Sequence, residues 1–153
     1  MQSLTVKKFL ESPIVELEPH TYIYVFRDGD TILYVGQSIS IIDRISSHLG
    51  ESWHASPSQI GELVQSNHPE SLSWLIELYT LDDCTEAVSQ TPYVSFYGSP
   101  RCTIEGRIDM AERAMIGKYH PCLNVQYNQD ATPLPTKYTH VRPNDSSSLH
   151  LNI

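Results

Sequence analysis

From Tyr22 to His48 the chain reads YIYVFRDGDTILYVGQSISIIDRISSH, and this stretch decides the fold. Two runs rich in β-branched and aromatic residues, Tyr22 to Arg27 and Thr31 to Gly36, flank Asp28-Gly29-Asp30. Gly29 can take positive φ there without a Cβ clash, so the pattern predicts a hairpin. Ile41, Ile42, Ile45 and Leu49 then recur at helical spacing. Arg44 and His48 are four residues apart and stack one turn apart on that helix. Strict alternation puts Tyr22 and Tyr24 on one face of the first strand, with Ile23 and Val25 on the other.

Working outward, Gly50 reads as the end of that helix. Ser56-Pro57-Ser58-Gln59 reads as a helix start, with Ser56 as N-cap and Pro57 at the first helical position. Ile60, Leu63 and Val64 give the helix an apolar face. Leu72, Trp74, Ile76 and Leu78 alternate with their neighbours and predict a third strand beside the hairpin. Thr80-Leu81-Asp82-Asp83 starts a short helix through about Gln90. Residues 91–106 carry turn formers and aromatics and read as a loop or small hairpin.

The last helix is expected from about Ile108 to Tyr119, ending before Pro121. Its apolar stripe is Ile108, Ala111, Met115 and Tyr119, and Glu112 lies on or beside it. A carboxylate there is costly unless paired, protonated or bound to a cation. A second reading is a capping box, Asp109-x-x-Glu112, in which Glu112 merely satisfies backbone. The expected fold is α+β, a small, largely antiparallel three-stranded sheet flanked by helices. Residues 1–19 are a lead-in, 20–127 the domain with a divergent insertion near 91–106, and 128–153 a polar, proline-rich, flexible tail.

The 153 residues suit one domain, and the 40% hydrophobic content is ordinary for a globular protein. No apolar run is long enough to span a bilayer, and the start MQSLTVKKFLESP has no sustained apolar core of the kind a signal peptide needs. A cytoplasmic, non-membrane protein is expected. The three cysteines are widely spaced without a CxxC pair, which fits reduced thiols better than a disulfide framework. The net charge of −8 argues against a strong non-specific grip on nucleic acid. Arg101 and Arg107 are candidate phosphate contacts by charge alone, and solvated surface arginines are the competing reading.

The stretch resembles the GIY-YIG nuclease domain. Tyr22-Ile23-Tyr24 matches the first tripeptide, with Tyr where the family has Gly. Tyr34-Val35-Gly36 matches the second, followed by Gln37 and Ser38. Arg44 and His48 match the family's Arg-x-x-x-His, and Glu112, Pro121 and Asn124 match its late Glu, Pro and Asn. The resemblance covers roughly residues 20–127 with a divergent middle. Each tripeptide alone is weak, and the ordered set is much stronger.

The resemblance implies a metal-dependent endonuclease that hydrolyses DNA phosphodiester bonds. Glu112 would be an oxygen ligand to Mg2+, for which Mn2+ can substitute. Tyr24 would be the general base or position the water, a role that requires nearby positive charge to favour phenolate. Tyr34 would orient water or phosphate, Arg44 would fork onto the phosphate, and His48 would bond a tyrosine or shuttle a proton. Tyr22, Gly36, Gln37, Ser38, Arg107 and Asn124 would serve substrate binding, Asn124 by fixing its loop with side-chain to backbone bonds. A protein partner or second protomer could supply the DNA affinity that the acidic chain lacks. The alternative is a catalytically inactive nucleic-acid-binding or assembly module with the same fold. In that reading the tyrosines are cross-strand packing pairs, and Arg44 and His48 are the wet side of a helix.

Overall fold

The computed structural model describes residues 1–12, 15–50, 58–91 and 102–139. The chain is α+β, with a four-stranded antiparallel sheet in the order β1-β4-β2-β3. The strands are β1 (Gln2–Thr5), β2 (Thr21–Asp28), β3 (Thr31–Gln37) and β4 (Leu75–Thr80). The helices are α1 (Val6–Glu11), α2 (Ile41–His48), α3 (Gln59–Ser66), α4 (Thr85–Ser89) and α5 (Ile104–Tyr119).

The hairpin forms as its sequence predicts, with Gly29 at φ 55° in the turn. The predicted third strand lies beside it as β4, paired to β2. It begins at Leu75 instead of Leu72, because Glu70–Ser73 coil into a 3-10 turn whose Ser71 hydroxyl donates to the Val64 carbonyl at 2.6 Å. The expected three-stranded sheet gains a fourth member from the lead-in: Gln2–Thr5 pairs with β4, Gln2 opposite Leu78 and Thr5 opposite Leu75. The Gln2 side-chain amide then ties residues 16–18 back, donating to the Glu16 carbonyl and accepting from the Glu18 N–H.

Two bulges set which side chains share a face. Phe26 stands opposite Tyr34 but Arg27 opposite Ile32, so Leu33 is an extra residue in β3. The bulge lets Tyr34 pack on the side of Tyr24 while Ile32 packs on the other. Strict alternation would have put Ile32 and Tyr34 together. The second irregularity falls between Thr21 and Ile23 in the pairing of β2 with β4. Tyr22 therefore packs against the cluster of Ile23 and Val25, not on the face of Tyr24 as alternation predicted.

Helices cover both faces. On one, Tyr24, Phe26, Leu33, Ile76 and Leu78 meet Phe9, Ile41, Ile45, Leu49, Ile60, Leu63 and Val64 from α1, α2, α3 and the residue after α2. On the other, Ile23, Val25, Val35 and Tyr79 meet Ala87, Val88, Ile108, Ala111, Met115 and Ile116 from α4 and α5. Each such aliphatic side chain contributes about 1.5–3 kcal/mol by leaving water.

Three helix starts refine the sequence reading. α3 is capped by Ser58, whose side chain accepts from the Gly61 N–H, and the expected cap Ser56 with Pro57 lies outside the described residues. Thr80 and Asp83 cap each other reciprocally ahead of α4, where a short helix was expected. α5 begins four residues early, at Ile104, capped by Thr103 onto the Gly106 N–H. Asp109 is therefore a helix-interior residue, ion-paired to Arg113 at 2.9 Å, and the capping-box reading of Glu112 is overturned.

Behind α5, residues 122–124 run along the outer edge of β3. Cys122 and Leu123 donate backbone N–H bonds to the carbonyls of Ile32 and Leu33. Asn124 completes the edge with its side chain, accepting from the Val35 N–H at 2.9 Å and donating to the Val35 carbonyl at 2.8 Å. The described part of the tail, residues 128–139, packs against the body. Tyr138 is 6% exposed, stacks edge-on to Trp74 and donates to Asp28 at 2.7 Å. No helix among the described residues is long and apolar enough to cross a membrane.

Candidate functional site

The end of β3 and the adjoining start of β2 carry the site. Tyr24 on β2 faces Gly36 on β3 across the pair. A methyl group at Gly36 would overlap Tyr24 Cζ and Oη, so the glycine is the slot in which the ring lies. Phe26 and Tyr34 flank the ring, with centroids 6.2 Å from that of Tyr24 in each case.

α2 delivers His48 onto these rings. Its imidazole is 5.5 Å from the rings of both Tyr24 and Tyr34, centroid to centroid, and only 8% of the residue is exposed. His48 is thus not on the wet side of the helix. Arg44, one turn earlier, is exposed, so the two part company in burial while sharing a side. His48 Nε2 lies 2.5 Å from Tyr24 Oη, and Nδ1 lies 2.6 Å from Ser58 Oγ at the start of α3.

Glu112 reaches the site from α5. It is half-buried, and Gln37 Nε2 donates to its Oε1 at 3.4 Å. Its charge is felt at both Tyr24 and Tyr34, and the charge of Arg44 is felt at Tyr24, Tyr34, His48 and Glu112. Four elements distant in sequence therefore bring Tyr24, Tyr34, Arg44, His48 and Glu112 within electrostatic reach of one another.

Burial dominates the protonation of this cluster. It pushes the Tyr24 phenol far above its usual value, with the neighbouring Tyr34 adding to the effect and Arg44 only partly opposing it. Tyr34 is raised for the same first reason. Tyr24 is accordingly a phenol, because Arg44 alone does not supply the positive charge that phenolate requires. Burial, then Arg44, pushes His48 down to about 4, so its ring is neutral at pH 7 and has a bare nitrogen available. Burial raises the Glu112 carboxyl, and the Gln37 hydrogen bond opposes that rise.

Of the remaining predicted residues, Asn124 fixes β3 through Val35 by the two side-chain to backbone bonds expected of it. Gln37 belongs with Glu112, and Ser38 caps the turn into α2 by accepting from the Ser40 N–H. Tyr22 lies on the opposite face from Tyr24, edge-on to His20. Arg107 sits half-buried in the first turn of α5, five residues before Glu112 and so well round the helix from it. Arg101 lies outside the described residues. The sequence reading missed Ser58 as a site residue. It lay inside the predicted helix start, but the contact with His48 crosses from one helix to another and leaves no local pattern.

Among the described residues, no group of three or more His, Cys, Asp and Glu side chains could hold a metal ion. A cage made of protein ligands is not what the donor set offers. One half-buried carboxylate with a single long hydrogen bond suits a hard cation that keeps most of its waters, as Mg2+ does. Glu112, with Gln37 beside it, fits that requirement.

No family model, curated protein or solved structure matches the chain.

Proposed function

We propose that the chain is a GIY-YIG-type endonuclease that hydrolyses DNA phosphodiester bonds with Mg2+ or Mn2+. One observation carries the reading: the two tyrosines, the arginine, the histidine and the glutamate converge on one spot, with Tyr24 bonded to His48. Bland roles account for each residue singly, but not for an aromatic pocket built around a buried neutral imidazole with a desolvated carboxylate beside it.

In this reading a water oxygen attacks the phosphorus. The water proton passes to Tyr24 Oη while the phenolic proton of Tyr24 passes to His48 Nε2. Burial leaves the His48 ring neutral at working pH, so an unprotonated nitrogen is there to receive it. Arg44, exposed at the mouth, binds the scissile phosphate by charge-assisted hydrogen bonds. The new P–O bond forms as the bond to the leaving sugar oxygen breaks, and that oxygen takes a proton from solvent as His48 returns one to it. Tyr34 orients the water or the phosphate from the neighbouring strand. A divalent cation on Glu112 would supply Lewis acidity at the phosphoryl and leaving oxygens.

Plasmid nicking by the purified chain in Mg2+, Mn2+ or EDTA tests the reading. Wild type is expected to nick only with metal, and Glu112→Gln and Tyr24→Phe are expected to lose roughly 100-fold or more. Glu112→Gln also removes a desolvated charge, so it should melt no lower than wild type and about 2–4 °C higher if about 1 kcal/mol is regained. Activity surviving in Glu112→Gln would remove the assigned role of that carboxylate. Binding of DNA without cleavage by wild type would move the assignment to an inactive binding module.

A further inference from the structure

His48 has a second partner that the resemblance does not supply. Ser58 Oγ stands 2.6 Å from Nδ1 and also accepts from the Gly61 N–H at 3.2 Å as the N-cap of α3. The cap fixes where this hydroxyl sits, with Ser58 at φ −74° and ψ 175°. A neutral imidazole carries one proton on two nitrogens, and both nitrogens here have an oxygen within 2.6 Å. Two arrangements satisfy the chain of contacts. In one, Nδ1–H donates to Ser58 and Nε2 accepts from Tyr24. In the other, Ser58 O–H donates to Nδ1 and Nε2–H donates to Tyr24. A phenol is intrinsically a better hydrogen-bond donor than an alcohol, so the first arrangement sets the better donor on the basic nitrogen. Ser58 Oγ has two lone pairs, enough to accept from both Gly61 and His48.

We propose that Ser58 is a positioning residue: its hydroxyl oxygen accepts the Nδ1–H hydrogen bond of His48 and holds the tautomer whose bare Nε2 accepts from Tyr24. α3 thereby contributes to the site without reaching the reacting atoms. The proton-transfer consequence rests on the nuclease reading, whereas the tautomer does not. As Tyr24 takes the water proton and passes its own to Nε2, Nδ1 keeps its proton on Ser58, so only one nitrogen of the ring changes state. The Nδ1–H bond to Ser58 then helps hold the transient imidazolium.

The test is long-range proton–nitrogen NMR of the full chain labelled with 15N-histidine, with His48 assigned from the signals missing in His48→Gln. Expected for wild type at pH 7 is a protonated Nδ1 and an unprotonated Nε2. Ser58→Gly removes the hydroxyl but, because glycine also caps helices well, should keep the fold. It is expected to shift the proton toward Nε2 and to slow nicking roughly 10- to 100-fold, part of what acid–base catalysis contributes. Ser58→Thr keeps the hydroxyl and is expected to restore the wild-type tautomer. A wild-type proton on Nε2, or an unchanged tautomer in Ser58→Gly, overturns the proposal. A wild type that cuts no DNA removes the nuclease reading, and the NMR comparison alone then decides the role of Ser58.

Discussion

At Gly36 a single methyl would overlap Tyr24 Cζ and Oη, and the ring has little room to yield. It is 1% exposed and hemmed in by Phe26, Tyr34 and His48. Gly36→Ala is expected to swing Tyr24 out of line with His48, to cost about 1–3 kcal/mol from overpacking, and to abolish cleavage. Urea unfolding and nicking measured on the same preparation check both effects. The sequence places this glycine in the second tripeptide, but its close neighbour is the end of a cross-strand side chain, which local pattern cannot name. His48 is a similar case. Helical spacing gave its partnership with Arg44, and only the packed structure separates the buried ring from the exposed guanidinium. Ser58 was illegible for a plainer reason, since nothing in a serine-rich approach to a helix says which hydroxyl faces an imidazole on another helix.

Strongly periodic elements were legible and short or partner-dependent ones were not. β2, β3, α2 and the body of β4 follow from alternation or from helical spacing within a few residues. β1 is four residues long with no alternation to speak of, and it exists because the outer edge of β4 offers it a ladder. The start of α5 was hidden by Gly106, a weak helix former, placed where Thr103 caps the first turn. Moving that start upstream made Asp109 an interior residue and left Glu112 without a backbone-capping role, which is the largest change the structure makes to the sequence reading. Asn124 closes the outer edge of β3. Its amide replaces a missing strand partner for Val35, so Asn124→Ala should strip two hydrogen bonds from β3 and cost about 1–3 kcal/mol. Hydrogen exchange at the Val35 amide should rise more than at Val25 in the paired centre of the sheet. Equal rises at both would mean that Asn124 supports the domain generally and does not pin this edge.

Across the whole molecule, the site joins side chains from residue 24 to residue 112 on β2, β3, α2 and α5 and at the cap of α3, so it exists only in the folded chain. Its stability should therefore respond to pH through His48. The folded pKa of about 4 lies below the ordinary histidine value of 6.5, and the unfolded chain takes up the proton first. The contribution is fully present above about pH 6.5 and is lost as pH falls through about 4, up to roughly 3 kcal/mol. Urea unfolding between pH 7 and pH 4 should show this fall in wild type and a flatter profile in His48→Phe, and parallel profiles would contradict it. Net charge and overall fold class were legible in composition and pattern, whereas the packing of residues 128–139 was not, because a polar, proline-rich segment gives no periodic sign that Tyr138 will cover Trp74. The strip of chain at 122–124 bears on self-association. With Cys122, Leu123 and Asn124 already occupying backbone groups of Ile32, Leu33 and Val35, that margin of the sheet has little left for a neighbour to zip onto. Two copies brought together to cut both strands of a duplex would not join their sheets through β3, since growth from that edge across the molecular boundary is blocked by the chain's own residues.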